Sequence, residues 1–116
     1  MKKNLSLELI KEERKNARIK KISELVKRAI ADTFQSIDFI DQNYNNPLFS
    51  VSDVILSKDG KTAAIVITVL NYKNRLEDKF YIDIINSNIS KINKEFSKKI
   101  ELRYTPKLRF KIKSLA

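Results

Sequence analysis

The chain has 116 residues, of which 42% are hydrophobic, with a net charge of +10 and neither cysteine nor histidine. This length fits one ordinary domain with one hydrophobic core. The absence of cysteine and histidine excludes disulfides, the usual Cys/His zinc sites, and catalysis by a thiol or an imidazole. Chemistry by carboxylates alone stays open.

Positive charge is concentrated at the two ends of the chain. Residues 1–30 hold ten Lys/Arg and four acids, giving +6, whereas residues 31–90 hold five and eight, giving −3. Residues 91–116 hold nine and two, giving +7. If the ends meet in space they form one positive surface, which attracts polyanions. The alternative is a lysine-rich protein whose charge only keeps it in solution.

Residues 1–15 read as a charged leader, partly helical, ahead of a single domain over residues 16–116. The leader contains Glu8, Glu12 and Glu13 and no continuous apolar core, which argues against a targeting peptide. No stretch of the chain approaches the ~20 consecutive apolar residues of a membrane span. We therefore expect a cytoplasmic protein with no membrane partner.

The first element of the domain is predicted to be an amphipathic helix over residues 16 to about 37, because apolar residues recur there at helical spacing. Arg14, Lys21 and Arg28 fall opposite the apolar stripe, so the outer face is basic. The stripe consists of Ile19, Ile22, Leu25, Val26, Ala29, Ile30, Phe34 and Ile37.

Two strands joined by a tight turn follow a loop over residues 38–48. Residues 49–57 are rich in β-branched and aromatic side chains, which favour a strand. The turn, residues 58–61, holds the only glycine of the chain, and Asp59-Gly60 suits the positive φ angles of hairpin turns. Residues 62–71, TAAIVITVLN, predict a continuous apolar strand that is buried on most of both faces.

Two short helices and a final strand complete the chain. Phe80, Ile84 and Ile85 stand at helical spacing, and the period resumes from Ile89 after a break at residues 86–90, where residues that prefer caps cluster. Residues 107–113 alternate between apolar and basic side chains, which predicts a strand with one buried face. The order α-β-β-α-α-β predicts an α+β domain, in which a three-stranded sheet packs on the helices.

Three segments resemble the ribosome-binding factor A family. Residues 102–110, LRYTPKLRF, look very like its C-terminal signature, residues 54–69 resemble its second block, and residues 18–25 match its first-helix pattern. The element order is also that of the type II KH fold, which binds RNA. The resemblance spans about residues 14–113. It departs from the family at Asn88-Ile89-Ser90, where the family has an Ala-x-Gly interruption between its two short helices.

The resemblance implies a cytoplasmic protein that binds the free 30S ribosomal subunit and its 16S ribosomal RNA late in assembly. It further implies support for processing of that RNA near its 5′ end, with no catalysis, no cofactor and no small-molecule substrate. We expect a non-enzymatic monomer. Two rivals stay open: a basic protein-interaction module that binds an acidic partner, and a hydrolytic RNA-processing enzyme that uses carboxylates.

Candidate RNA-binding residues lie on three elements and in the signature segment before the final strand. Phosphate contacts by lysine are sequence-independent, and Lys91, Lys94 and Lys98 share one face of the last helix. Ser90 or a neighbouring polar residue is expected to cap that helix, whose free N–H groups would favour a phosphate beside Lys91. The alternative for these cations is a solvated helix face or lysines that protect an edge strand. The other candidates are Lys20, Lys21, Lys27 and Arg28 on the first helix, Arg103 in the signature, and Lys107, Arg109, Lys111 and Lys113 on the final strand.

Tyr104 and four acids complete the candidates. Tyr104 could stack on a base, but such an aromatic is more often a half-buried packing residue. Two acid pairs lie in loops beside turn formers, where solvated acids are the expected interpretation and no metal site is predicted. These pairs are Asp38 with Asp41 and Glu77 with Asp78.

Overall fold

The computed structural model describes residues 2–40, 46–70, 76–102 and 104–113, with side chains described from Leu7 onward. Three helices and three strands follow one another in the order α-β-β-α-α-β, which confirms the predicted fold class. The elements are α1 (Lys2–Gln35), β1 (Phe49–Leu56), β2 (Thr62–Val69), α2 (Asp78–Ser87), α3 (Ile89–Lys99) and β3 (Lys107–Ile112).

The three strands form one sheet in the order β1-β2-β3. β1 pairs antiparallel with β2 across the short turn, and β3 pairs parallel with β2 after the chain has passed through both short helices. A parallel neighbour requires such a crossover, because the chain must return to the end of the sheet where β2 began. All three helices pack on one side of the sheet and share one hydrophobic core.

Helix α1 starts at Lys2 rather than near residue 16, and it ends at Gln35 rather than near residue 37. Its described residues before Ile19 are all exposed, whereas Val26 and Ile30 are fully buried. The fully buried Thr33 belongs to the inward stripe although it is polar, because its hydroxyl donates to the Ala29 carbonyl oxygen at 2.8 Å. The division into a leader over 1–15 and a domain over 16–116 stays a prediction.

The β1–β2 turn has the predicted position and closes with its own polar groups. Gly60 takes φ 72°, the left-handed conformation that glycine adopts without steric cost. The Asp59 carboxylate accepts hydrogen bonds from the Ser57 hydroxyl at 2.6 Å and the Lys61 backbone N–H at 3.0 Å. These bonds hold the pKa of the Asp59 carboxyl below its ordinary value, the Ser57 bond contributing most.

The central strand β2 is not buried on both faces, which corrects the sequence prediction. Ala63, Ile65, Ile67 and Val69 are fully buried under the helices, while the alternate residues are only half-buried. No helix covers that second face in the described chain. In β1 the register shifts between Val51 and Asp53, and the hydroxyl of the extra residue, Ser52, bonds that of Thr68 on β2.

Five aromatic rings close the end of the core where β1 begins. Their centroids lie 5.0 to 6.2 Å apart, in tilted and edge-to-face pairs that aromatic rings favour. Burying each ring contributes roughly 1.5–3 kcal/mol by removing apolar surface from water. The cluster consists of Phe34, Phe39, Phe49, Tyr81 and Phe110.

Two members of this cluster contradict the sequence expectations. Phe39 follows α1 in the predicted loop yet is buried. In α2 the helical spacing singled out Phe80, which is 47% exposed, while its neighbour Tyr81 is 5% exposed. The Tyr81 hydroxyl accepts a hydrogen bond from the Leu76 backbone N–H at 2.9 Å, which satisfies its polar end inside the fold.

Candidate nucleic-acid interface

The lysines of α3 lie on its solvent face, as the helical spacing predicts. Ile92 and Phe96 anchor the helix in the core at 0% and 1% exposure, and this sets the opposite face toward solvent. Lys98 lies 3.6 Å from the Glu95 carboxylate one turn earlier. Lys91 and Lys94 have no ion pair within the described chain, so their charges are available to an anion.

The junction between α2 and α3 is a break, as predicted, but the expected side-chain cap of α3 is not formed. Asn88, not Ser90, occupies the N-cap position of α3, and Ser90 lies inside the helix. The Asn88 amide donates back to the Ile84 carbonyl oxygen at 2.8 Å, and the Ser87 hydroxyl donates to that of Asp83 at 2.7 Å. Both side chains therefore cap the end of α2.

The start of α3 consequently has no side-chain cap. The first N–H groups of any α-helix lack partners inside the helix, and the helix dipole places partial positive charge there. The first turn of α3 carries no acid, and Lys91 lies within it. Both features favour an anion over a cation at this point.

The predicted cations of α1 are also exposed, and they lie on the same side of the sheet as α3. α1 packs against both β1 and α3, so its outer face continues the helical side of the molecule. Leu25, predicted to be in the core, is 49% exposed and lines a shallow depression with Lys21, Glu24 and Arg28. The exposed cations of this helix that were candidates are Lys20, Lys21, Lys27 and Arg28.

The cations of β3 lie on the other side of the sheet. Leu108 and Ile112 point into the core, so Lys107, Arg109 and Lys111 project from the face that no helix covers. The expectation that both basic ends of the chain form one surface is therefore wrong for this strand. Summed charge does not reveal direction, whereas strand alternation does. Arg103 lies outside the described residues.

Tyr104 is not a packing residue, which corrects the favoured interpretation of this side chain. It is 74% exposed and borders a cleft of about 720 Å³ at the end of the sheet opposite the aromatic cluster. Sequence reasoning proposed neither Arg18 nor Lys61 as a site residue, although both border this cleft. A cation in a turn signals a site only when the fold shows what it faces. The lining residues are Arg18, Ile22, Asp59, Gly60, Lys61, Leu102, Tyr104 and Thr105.

The acids considered as catalytic groups form no constellation in the part of the chain that the structure describes. Asp38 is exposed, and Glu77 lies 3.7 Å from the Lys79 ammonium; Asp41 falls outside the described ranges. Among residues 2–40, 46–70, 76–102 and 104–113, no three acidic side chains come together as a metal site would require. No described helix is long and apolar enough to cross a membrane.

Fold and surface together define a small, basic α+β domain of the type II KH-like order, with cations on both sides of its sheet. The family model for ribosome-binding factor A matches residues 18–115, and the chain belongs to that family. This confirms the resemblance drawn from the motifs.

Known relatives agree with this assignment. The ribosome-binding factor A of Acetivibrio thermocellus is 28% identical over 95 residues, covering 82% of this chain and 74% of that protein. The crystal structure of ribosome-binding factor A from Thermus thermophilus superposes with a TM-score of 0.65 at 19% identity, covering 81% of this chain and 93% of that one.

A further structural relative is a homology model of the Thermus thermophilus protein, fitted into the cryo-electron-microscopy map of its complex with the 30S subunit. It superposes with a TM-score of 0.59 at 20% identity, covering 78% of this chain and 90% of that one. These superpositions establish the shared fold.

Proposed function

We propose that this chain binds the immature 30S ribosomal subunit through 16S ribosomal RNA, in the cytoplasm, and supports processing of that RNA near its 5′ end. Membership of the ribosome-binding factor A family carries the proposal. The Thermus thermophilus relative in a complex with 30S supports it. The mechanism is occupancy: a basic surface docks on RNA phosphates and stabilises one RNA conformation, without a catalytic step.

The helical side of the molecule is the proposed docking surface. Lys91 and Lys94 are exposed and have no ion pair in the described part of the chain, so a phosphate can take their charge without breaking an existing contact. Replacing condensed counterions on RNA by such lysines releases those ions, and the gain in entropy drives binding. Lys20, Lys21, Lys27 and Arg28 extend the positive potential along α1.

The uncapped start of α3 makes Lys91 informative. A cation in the first turn of a helix opposes the dipole and costs about 0.3–1 kcal/mol, so a helix selected only for stability would carry acids there. Free N–H groups, the dipole and Lys91 together suit a phosphate of the RNA backbone. The Asn88-Ile89-Ser90 break therefore contributes to binding through backbone N–H groups, without a glycine.

The binding proposal is tested with tagged protein on sucrose gradients and with isolated 16S ribosomal RNA titrated at several salt concentrations. We expect cosedimentation with free 30S subunits and not with translating ribosomes. The double variant Lys91→Glu, Lys94→Glu should weaken RNA binding at least tenfold and reduce the salt slope by roughly 1.4–1.8, the sum of two phosphate contacts.

A matched control is Lys107→Glu, Lys111→Glu, which makes the same charge change on the other side of the sheet. A smaller loss in this control supports the helical side as the main docking surface, with the strand cations secondary. Equal losses would contradict that ranking. A wild-type protein that neither cosediments with 30S nor binds the isolated RNA would overturn the proposed function.

The processing role needs a separate measurement. Cells depleted of this chain should accumulate 16S ribosomal RNA extended at its 5′ end, detectable by primer extension. Complementation by the Lys91→Glu, Lys94→Glu variant should fail in proportion to its loss of binding. Mature 5′ ends in depleted cells would limit the function to binding.

A further inference from the structure

The cleft beside Tyr104 is assembled from three separate parts of the chain. α1 supplies Arg18 and Ile22, the β1–β2 turn supplies residues 59–61, and the remaining wall consists of Leu102, Tyr104 and Thr105, which lie between α3 and β3. The Lys107 backbone N–H donates to the Lys61 carbonyl oxygen at 2.8 Å, which fixes that connection against the turn. The cleft therefore exists only in the folded domain.

The walls combine an apolar floor, an aromatic ring and two cations. Ile22 and Leu102 are half-buried and form the floor of the cleft. Their contacts with the core hold this floor in place. Tyr104 presents most of its ring to solvent, and Arg18 and Lys61 are exposed at the border. Proteins hold single-stranded nucleic acid with aromatic rings that stack on its bases and with cations that bind its phosphate backbone.

Asp59, the one acid among the lining residues, is engaged within the turn. Its carboxylate accepts from the Ser57 hydroxyl and from the Lys61 backbone N–H, and it orders the loop that carries Lys61. Arg18 and Lys61 outnumber it, so the net charge of the lining is positive. An anion is favoured over a cation as occupant, and an acidic group flanked by an apolar surface is favoured most.

The volume sets the size of the occupant. The cleft measures about 720 Å³, inside the roughly 300–1,000 Å³ range of sites that hold compact organic ligands. A duplex cannot insert a base into such a cleft without unpairing it, whereas a single strand presents bases that are already accessible.

We propose that this cleft holds one unpaired nucleotide of RNA, with its base stacked on Tyr104 and its phosphate between Arg18 and Lys61. This rests on the proposed RNA-binding function and deepens it. The lysines of α3 bind phosphates of any RNA, while the cleft adds a requirement for a single-stranded segment. The chain thereby recognises RNA that has not yet reached its paired, mature form.

The test uses the absence of tryptophan from this chain. Tyr104→Trp introduces a sole indole, whose fluorescence is quenched when a base stacks on it. A single-stranded RNA octamer should quench it, and a blunt RNA duplex of the same length should not, although fluorescence anisotropy shows both bound. Tyr104→Ala should weaken octamer binding roughly tenfold and leave duplex binding unchanged, whereas Tyr104→Phe should keep wild-type affinity.

The cations have their own readout in the same assay. Arg18→Ala with Lys61→Ala should reduce the salt slope for the octamer by about 0.7, the value for one phosphate of a single strand, and leave the slope for the duplex unchanged. Circular dichroism checks that each variant is folded, and Tyr104 is too exposed for its removal to unfold the domain.

The outcomes separate the two proposals. Wild-type binding to both RNAs with no quenching and no effect of Tyr104→Ala overturns the cleft proposal and leaves the proposed function standing. A wild-type protein that binds neither RNA overturns both. Quenching by an acidic peptide as strong as that by the octamer would assign the cleft to a protein partner and overturn it for RNA.

Discussion

The two ends of the sheet use aromatic residues in opposite ways. At the end where β1 begins, five rings pack together, and Phe34 and Phe49 each contact three others. At the other end Tyr104 is exposed to solvent in a cleft that Arg18 and Lys61 also line. The packed rings at one end stabilise the fold. The opposite end can therefore keep an open, charged cleft whose exposed side chains contribute little to the core. The aromatic cluster that stabilises the fold and the cleft proposed to bind RNA thus lie at opposite ends of the same sheet.

The largest effect is expected when an aromatic side chain is replaced by alanine at each of the two ends. Phe34→Ala should lower the free energy of unfolding by about 3–5 kcal/mol, because it leaves a cavity beside the three rings that Phe34 contacts. That is a large share of the roughly 5–15 kcal/mol that holds an ordinary domain folded. Tyr104→Ala should change it by less than about 0.5 kcal/mol. Urea unfolding followed by circular dichroism gives both values, and comparable losses at the two ends would contradict the separation.

A single hydroxyl sharpens the comparison at the closed end. Tyr81→Phe keeps the ring and removes the acceptor of the Leu76 N–H, so the free energy of unfolding should fall by about 1 kcal/mol. The slope of the unfolding free energy against urea concentration should be unchanged, because unfolding exposes the same apolar surface. An unchanged midpoint would show that the ring alone holds the segment before α2.

The smallest effect is expected at the turn that borders the open end. Asp59→Asn removes a carboxylate whose pKa in the folded state lies below its ordinary value of 3.8. A lowered pKa stabilises the folded state above that ordinary value, and the stabilisation is lost as the pH falls through the folded-state pKa. The variant should therefore melt slightly below wild type at pH 7 and converge with it in strong acid. A difference that persists at low pH would point to lost turn geometry instead of lost charge.

Local patterns were sufficient to predict the architecture. The Asp59-Gly60 pair located the hairpin, the alternation after Pro106 assigned Leu108 and Ile112 to the core, and the cluster of cap-forming residues located the helix break. Each of these depends on neighbours along the chain. Their order then restricted the topology, because the two-helix connection allows β3 to pair parallel to β2.

Features that depend on tertiary contact were not predictable in this way. Phe39 is buried against two other rings, and Tyr81, not Phe80, packs its ring on Phe49 while its hydroxyl accepts from the Leu76 N–H. Asn88 occupies the N-cap position of α3, but its side chain bonds back to the Ile84 carbonyl oxygen and does not cap α3. For the candidate site, the sequence named the cations of α3 and set those of β3 opposite its buried face. It could not show that all three helices pack on that buried face, nor that Arg18 and Lys61 border a common cleft.

The parallel pairing of β2 with β3 also has a kinetic consequence. β1 and β2 meet across a few residues, whereas β3 joins β2 only after two helices, so closing that loop costs the most chain entropy. During synthesis the hairpin can form while β3 is still inside the ribosome. The wall that carries Tyr104 immediately precedes β3 and is positioned only when that strand docks. The nucleotide cleft is accordingly among the last features to form, and a nascent or unfinished chain cannot occupy RNA through it.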